Sequence, residues 1–139
     1  MAQYRKLRLA MIGGGRNAFI GSIHRLAFNM DGLAELVAGA LSSDSENAKL
    51  SGRDLFLDEE RIYTSYKDML EIESAKCENE RPDIICIVTP NHMHFEPAMM
   101  ALDLGFHVAI DKPVTFDLEQ AKQLAEKVAV VHSEAVLRK

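Results

Sequence analysis

Apolar runs alternate along the chain with segments in which apolar residues recur every three or four positions. A short apolar run is typical of a β-strand, and the spaced pattern is typical of a helix with one buried face. The run at residues 84–88 is wholly apolar, which predicts a strand buried on both faces of a parallel sheet. The five predicted strands are residues 7–12, 34–41, 62–64, 83–89 and 107–110.

A predicted helix follows each of these strands, and capping patterns mark several of the helix ends. The capping pairs are Ser43 with Glu46, Ser65 with Asp68, and Asp117 with Gln120, and Gly105 ends the fourth helix. The residues expected to pack inward are Phe19, Ile20, Ile23, Leu26, Ala27 and Met30 in the first helix, and Leu118, Ala121, Leu124, Ala125 and Val128 in the last.

This alternation predicts an α/β fold, a doubly wound parallel sheet of the Rossmann type with strand order 3-2-1-4-5. We expect one domain over residues 1–139, with its core at residues 6–130. Ligands of such sheets bind at the carboxyl ends of the strands. The segments to inspect are therefore residues 13–21, 42–44, 89–94 and 111–113.

Three glycines, Gly13 to Gly15, end the first predicted strand. Glycine there permits a tight turn and lets a diphosphate approach the backbone at the start of the next helix. The compact dinucleotide fingerprint has Ala18 at its third position, whereas a longer turn has Gly21, and both spacings stay open. A glycine-rich turn without a ligand is the alternative. The expected cofactor contacts are Gly13, Gly15, Asn17, Ala18, Phe19 and Ile20.

The second strand end should contact the ribose of the cofactor. A count of about twenty residues from the glycines reaches Asp31 or Glu35, but Glu35 lies at the opposite end of its strand. The residues at the correct end are Ser42, Ser43 and Asp44. An acid there favours NAD, and hydroxyls leave room for the 2′-phosphate of NADP. Since Asp44 could equally be a helix-start residue, NAD and NADP both stay open, with a slight preference for NADP.

Polar residues also follow the fourth and fifth predicted strands. Thr89, Pro90, Asn91 and His94 follow the fourth; proline ends the strand and Asn91 is a suitable N-cap. His92 and His94 lack a third ligand, so we expect no metal site.

Asp111, Lys112 and Pro113 follow the fifth strand. A lysine there can hydrogen-bond a substrate hydroxyl and help to move its proton. The alternative is a lysine that only pairs with an acid.

Charge and cysteine usage narrow the class of protein and its partners. The net charge is −5, and residues 54–81 account for all of it, with nine acids and four bases. We expect no nucleic-acid or membrane partner. The N-terminus lacks the apolar stretch of a signal peptide, and no apolar run is long enough to span a bilayer. Cys77 and Cys86 form no C-x-x-C pair, so we expect a cytoplasmic protein without disulfide or zinc.

Together these motifs resemble the N-terminal domain of the glucose–fructose oxidoreductase / inositol dehydrogenase / rhizopine catabolism (Gfo/Idh/MocA) family. The similar segments are GGGRNAFIGSIHR, LVAGALSSD, TPNHMH and GFHVAIDKPVT. The resemblance implies an NAD(P)-dependent dehydrogenase that acts on a sugar, cyclitol or related polyol. It places the cofactor along residues 89–91, with His94 at the start of the helix behind them, and it adds His94, Asp111 and Lys112 to the expected cofactor contacts. It places Lys112 beside substrate and nicotinamide as the residue that assists proton transfer; Asp111 stands where glutamate is more usual.

Length is the larger departure from the family pattern. Family members are at least about twice as long, and their second domain builds the substrate pocket and the oligomer interface. We therefore expect this chain to be a truncated domain, inactive alone but able to bind cofactor, and its full-length parent to be a homo-oligomer. One rival is a nucleotide-sensing Rossmann module without redox turnover. Another is a methyltransferase-like or flavodoxin-like sheet protein with a different ligand.

Overall fold

Four parallel strands form the central sheet of the computed structural model, which describes residues 4–137 and the side chains of residues 4–133. The strands are β1 (Leu7–Ile12), β2 (Ala34–Ala40), β3 (Ile84–Ile87) and β4 (His107–Ile110), in the order β2-β1-β3-β4. The predicted parallel α/β sheet is confirmed. The ends of the predicted domain, residues 1–3 and 138–139, lie outside the described residues.

The prediction of a full strand at residues 62–64 is wrong. Ile62 forms a single parallel bridge to Gly39 of β2, and the Tyr63 amide donates to the Gly39 carbonyl at 2.8 Å. The segment therefore lies where the order 3-2-1-4-5 places it, at the edge beyond β2. A 3₁₀ turn at Glu59–Arg61 precedes it and a helix begins at Tyr66, so too few extended residues remain for a ladder.

Five helices connect the strands. They are α1 (Phe19–Asn29), α2 (Ser45–Asp54), α3 (Tyr66–Ser74), α4 (Phe95–Asp103) and α5 (Leu118–Leu137). The caps predicted at Ser65 and Asp117 are confirmed, since their side chains accept from the amides of Asp68 and Gln120. The cap predicted at Ser43 is wrong, because Asp44 accepts from the Asn47 amide at 2.7 Å. None of the helices within residues 4–137 is long and apolar enough to cross a membrane.

Apolar side chains cover both faces of the sheet. Ala10 and Ile12 of β1 pack on the side of α3, α4 and α5, whereas Leu9 and Met11 pack on the other side with residues of α1 and β2. β3 is buried on both faces as well, with Ile85, Cys86 and Ile87 at 0 % exposure. This two-sided burial explains the wholly apolar run in the sequence.

The inward face predicted for α1 is largely wrong. Phe19, Leu26 and Met30 are 80, 68 and 79 % exposed. Ile20 packs against the core as predicted, and the rest of the face that approaches the sheet is Gly21, with Phe28 seven positions later. Helix α1 is rotated in this way because Gly21 packs directly on the glycine turn. In α5, Leu124 packs inward as predicted, but Leu118 is 70 % exposed.

Candidate functional site

A cleft of about 520 Å³ lies at the carboxyl ends of β1, β2 and β3. Its size is within the range of small-molecule sites. It is lined by residues 12–18, 40–43, 64–66 and 88–90, with Asn47, Met93 and Pro97. Three of the four strand ends predicted from the sequence therefore contribute to one cavity.

The glycine turn forms one wall of this cleft and is tied to the end of β2. The amides of Gly13 and Gly15 donate to the carbonyls of Ala40 and Leu41 at 2.9 and 3.0 Å. Gly13 has φ +82° and Gly14 has φ +78°, a left-handed backbone that favours glycine. A Cβ on Gly15 would lie 2.7 Å from the Leu41 carbonyl oxygen. These positions need glycine to keep the turn in this shape.

Gly21 distinguishes between the two fingerprint spacings that the sequence leaves open. A Cβ on Gly21 would lie 2.4 Å from the Cα of Gly14, so Gly21 is the glycine at which helix and turn approach most closely. Ala18 instead precedes α1 and lines the cleft. The Arg25 guanidinium reinforces the turn by donating to the Gly14 carbonyl at 2.7 Å. The structure thus supports the longer spacing.

The N-terminus of α1 lacks a side-chain cap. Its N-cap residue is Ala18, which makes no side-chain hydrogen bond, and its first turn contains no acid. The first amides of a helix have no partner within the helix and carry partial positive charge, so they attract an anion. Phe19 and Ile20 can contribute through these amides, although neither side chain lines the cleft. The turn and the uncapped helix fit a diphosphate group.

Serine hydroxyls face the cleft at the end of β2. Ser42 and Ser43 line it, whereas Asp44 does not, because its carboxylate caps α2. The Asn47 side-chain amide donates to the Ser42 hydroxyl at 3.2 Å and accepts from the Ser51 hydroxyl at 3.2 Å. The Arg16 amide donates to the same Ser51 hydroxyl at 2.9 Å. One hydrogen-bonded chain therefore joins the glycine turn to Ser42.

The sequence patterns did not indicate Asn47, Pro97 or residues 64–66, which also line the cleft. The strand-end rule would have found Thr64 and Ser65 had it been applied to the short third segment, which ends beside β2. No comparable sequence pattern indicates Asn47, because its place in the cleft depends on how helix α2 packs.

Thr89 and Pro90 line the cleft after β3, as predicted. Asn91 is exposed and begins a 3₁₀ turn at Asn91–Met93, so its prediction as the N-cap of α4 is wrong; that position belongs to His94. The His94 ring is 0 % exposed and lies against the carbonyl oxygens of Thr89 and Pro113, not in the cleft lining.

Within the described residues, no three His, Cys, Asp or Glu side chains are grouped to hold a metal ion.

Asp111 and Lys112 lie at the same edge of the sheet, outside the cleft lining. The Asp111 amide donates to the Ile87 carbonyl at 3.0 Å, and His24 lies 3.2 Å from the Asp111 carboxylate. Partial desolvation acts to raise the pKa of Asp111, but the hydrogen bond with His24 helps to bring that pKa below its ordinary value. Lys112 is exposed and forms no salt bridge with any described side chain.

Residues 7–135 match the model of the Gfo/Idh/MocA family, an oxidoreductase family with an NAD-binding Rossmann fold. The chain is 38 % identical over 127 residues to the oxidoreductase YfiI of Bacillus subtilis (strain 168), covering 88 % of this chain and 32 % of YfiI.

Two crystal structures are similar as well. An oxidoreductase from Sinorhizobium meliloti is 46 % identical with a TM-score of 0.82, over 88 % of this chain and 34 % of that one. An inositol dehydrogenase homolog from Azotobacter vinelandii, in complex with NADH and myo-inositol, is 37 % identical with a TM-score of 0.87, over 92 % of this chain and 33 % of that one. The chain spans about a third of the length of these relatives.

Proposed function

This chain belongs to the Gfo/Idh/MocA oxidoreductase family, and we propose that it binds NAD(P) for an enzyme that transfers hydride to or from a sugar, cyclitol or related polyol. The main support is the uncapped N-terminus of α1 beneath the glycine turn, which fits the cofactor diphosphate. The relative from Azotobacter vinelandii in complex with NADH and myo-inositol supports the substrate class.

The residues of this chain have three roles in this proposal. The glycine turn and the amides of Phe19 and Ile20 hold the diphosphate, while Ser42, Ser43, Thr89 and Pro90 contact the rest of the cofactor. The bound nicotinamide supplies the hydride acceptor or donor. The amino group of Lys112 exchanges a proton with the substrate hydroxyl, which it can do because its side chain is exposed and free of a salt bridge with the described side chains.

The whole enzyme extends beyond this domain in the same proposal. Because the relatives are about three times as long, we place the remainder of the substrate site and the contacts between subunits outside residues 1–139. A cytoplasmic location is part of the proposal. It is supported by the two cysteines, both free thiols, one exposed and one buried.

A variant at the start of α1 tests the diphosphate site. Ala18→Asp adds a carboxylate where the diphosphate would lie, so the affinity for NADH should fall at least about tenfold. The same carboxylate can cap α1, and the melting temperature should therefore stay equal or rise. Isothermal titration calorimetry and a thermal melt measure the two effects on one sample.

Ala18→Ser is the matched control, because serine also caps the helix but brings no charge. It should keep the stability gain with a smaller loss of affinity. Equal affinity of Ala18→Asp and the wild-type chain for NADH would contradict the placement of the diphosphate.

The end of β2 favours NADP over NAD in this proposal. The cleft there presents the hydroxyls of Ser42 and Ser43, and the carboxylate of Asp44 is used as a helix cap. Arg16 also lines the cleft, and its guanidinium pairs with Asp54 at 2.6 Å while both side chains remain about half exposed. An exposed pair of this kind is weak, so the guanidinium can turn to a 2′-phosphate.

NADPH should therefore bind this chain about tenfold more tightly than NADH, the effect of one hydrogen-bonded charge pair. Arg16→Gln should remove most of that difference by weakening NADPH binding alone, as measured by fluorescence titration with both cofactors. Arg53→Gln is the control, because Arg53 pairs with Glu59 and does not line the cleft. Tighter binding of NADH than NADPH by the wild-type chain would reverse the preference.

A further inference from the structure

Two histidines fix the residues on either side of Lys112. Residues 111–113 form a second turn, the lysine turn. Within the proposed function, we infer that His94 and His24 are positioning residues that hold the lysine turn against the walls of the cofactor cleft. Neither ring lines the cleft, so their role is to place Lys112 rather than to touch the cofactor.

His94 joins the turn to the wall formed by the loop after β3. Its Nδ1 lies 2.8 Å from the Pro113 carbonyl oxygen and its Nε2 lies 2.7 Å from the Thr89 carbonyl oxygen. Thr89 lines the cleft, and Pro113 directly follows Lys112. Both partners are carbonyl oxygens, which only accept, so the ring donates to both when both of its nitrogens carry hydrogen, and a neutral ring donates to one of them and packs against the other. In either form the ring is 0 % exposed, and separating the two segments would expose or orphan a buried polar group.

His24 joins the other side of the turn to α1. Its Nε2 lies 3.2 Å from Oδ1 of Asp111, and both side chains are 25 % exposed. Helix α1 is the element whose N-terminus lies beneath the glycine turn, and Gly21, three residues before His24, packs on Gly14. The lysine turn, residues 111–113, is thus tied to the helix that would hold the diphosphate.

The backbone around Lys112 is consequently anchored at both neighbours while its own side chain stays exposed. Asp111 is held through its carboxylate and through its amide, which donates to the Ile87 carbonyl. Pro113 is held through its carbonyl. This arrangement fixes where the Lys112 amino group can reach relative to the cleft, because the backbone cannot shift without breaking one of these contacts.

Amide hydrogen exchange followed by NMR tests the inference on the whole 139-residue chain. In His94→Phe, which keeps a ring but has no nitrogen, the amides of Asp111 and Lys112 should exchange at least about tenfold faster relative to those of β1. His94→Gln keeps an N–H donor group and should show a smaller increase. His24→Asn should also accelerate these amides. The exposed neighbours His92→Gln and His107→Gln are the matched controls and should leave them unchanged.

A second readout links the turn to the cofactor. Addition of NADH should shift the Lys112 amide resonance of the wild-type chain, and the shift should fall to less than about half in His94→Gln.

If NADH does not bind the wild-type chain, the proposed function fails, whereas the exchange data still test the positioning by themselves. The inference is overturned if the Asp111 and Lys112 amides respond no more than those of β1 in the His94 and His24 variants. If His94→Phe does not fold, His94→Gln and His24→Asn decide the question.

Discussion

Replacement of Gly21 by alanine is expected to destabilise the domain by about 3 kcal/mol, which corresponds to a fall of about 10 °C in the melting temperature. The added methyl would lie 2.4 Å from the Cα of Gly14 and 2.9 Å from its carbonyl oxygen. Both are backbone atoms, so no side chain can move aside. Helix α1 would have to shift away from the glycine turn. Thermal and urea unfolding followed by circular dichroism measure the effect.

The shift of α1 should also abolish tight binding of NADH, because the helix amides and the turn would no longer share one geometry. Ser22→Ala, on the exposed side of the same helix, is the control and should change the free energy of unfolding by less than about 0.5 kcal/mol. A Gly21→Ala variant as stable as Ser22→Ala would contradict the close approach of α1 to the turn.

In the whole enzyme, loss of the Lys112 amino group is expected to reduce turnover by about 10²- to 10⁴-fold, the usual contribution of a residue that transfers a proton. Lys112→Ala should show this loss in kcat of the full-length protein. Lys112→Arg should not restore it, because arginine keeps the charge but does not release its proton near neutral pH. Steady-state kinetics with a polyol and NAD(P) measure both.

Lys122→Ala removes another exposed lysine, on α5, and should leave turnover unchanged. A nucleotide-sensing module has no chemical use for an amino group at this site, so full function of Lys112→Ala would favour that rival. The 139-residue chain alone should show no steady turnover of any polyol, since it spans about a third of its relatives.

Local patterns predicted which elements form and where the site lies. Residues 84–88 are a wholly apolar run, which predicted a strand buried on both faces of a parallel sheet, and β3 lies there with 0 % exposure at Ile85 and Ile87. The strand-end rule then located Gly13, Ser42 and Thr89, which the fold brings into one cleft. These predictions succeed because each depends on one element and on the direction of its strand.

Contacts between distant segments account for what the sequence did not predict. The apolar stripe Phe19, Leu26 and Met30 indicated the wrong face of α1, because the rotation of the helix is set by Gly21 against Gly14 and not by the stripe. His94 was predicted to contact the cofactor, whereas its ring lies between two carbonyls from segments 24 residues apart, Thr89 and Pro113. No local spacing reports a contact of that kind.

The most direct measurement of the central claim is a melting-temperature titration of the 139-residue chain with NADPH, NADH, FMN and S-adenosylmethionine. A ligand that binds the folded chain at a hundred times its Kd stabilises it by about 2.7 kcal/mol. NADPH and NADH should raise the melting temperature, NADPH at the lower concentration, and FMN and S-adenosylmethionine should not. A rise with only FMN or only S-adenosylmethionine would contradict the assignment of the cleft to a nicotinamide dinucleotide.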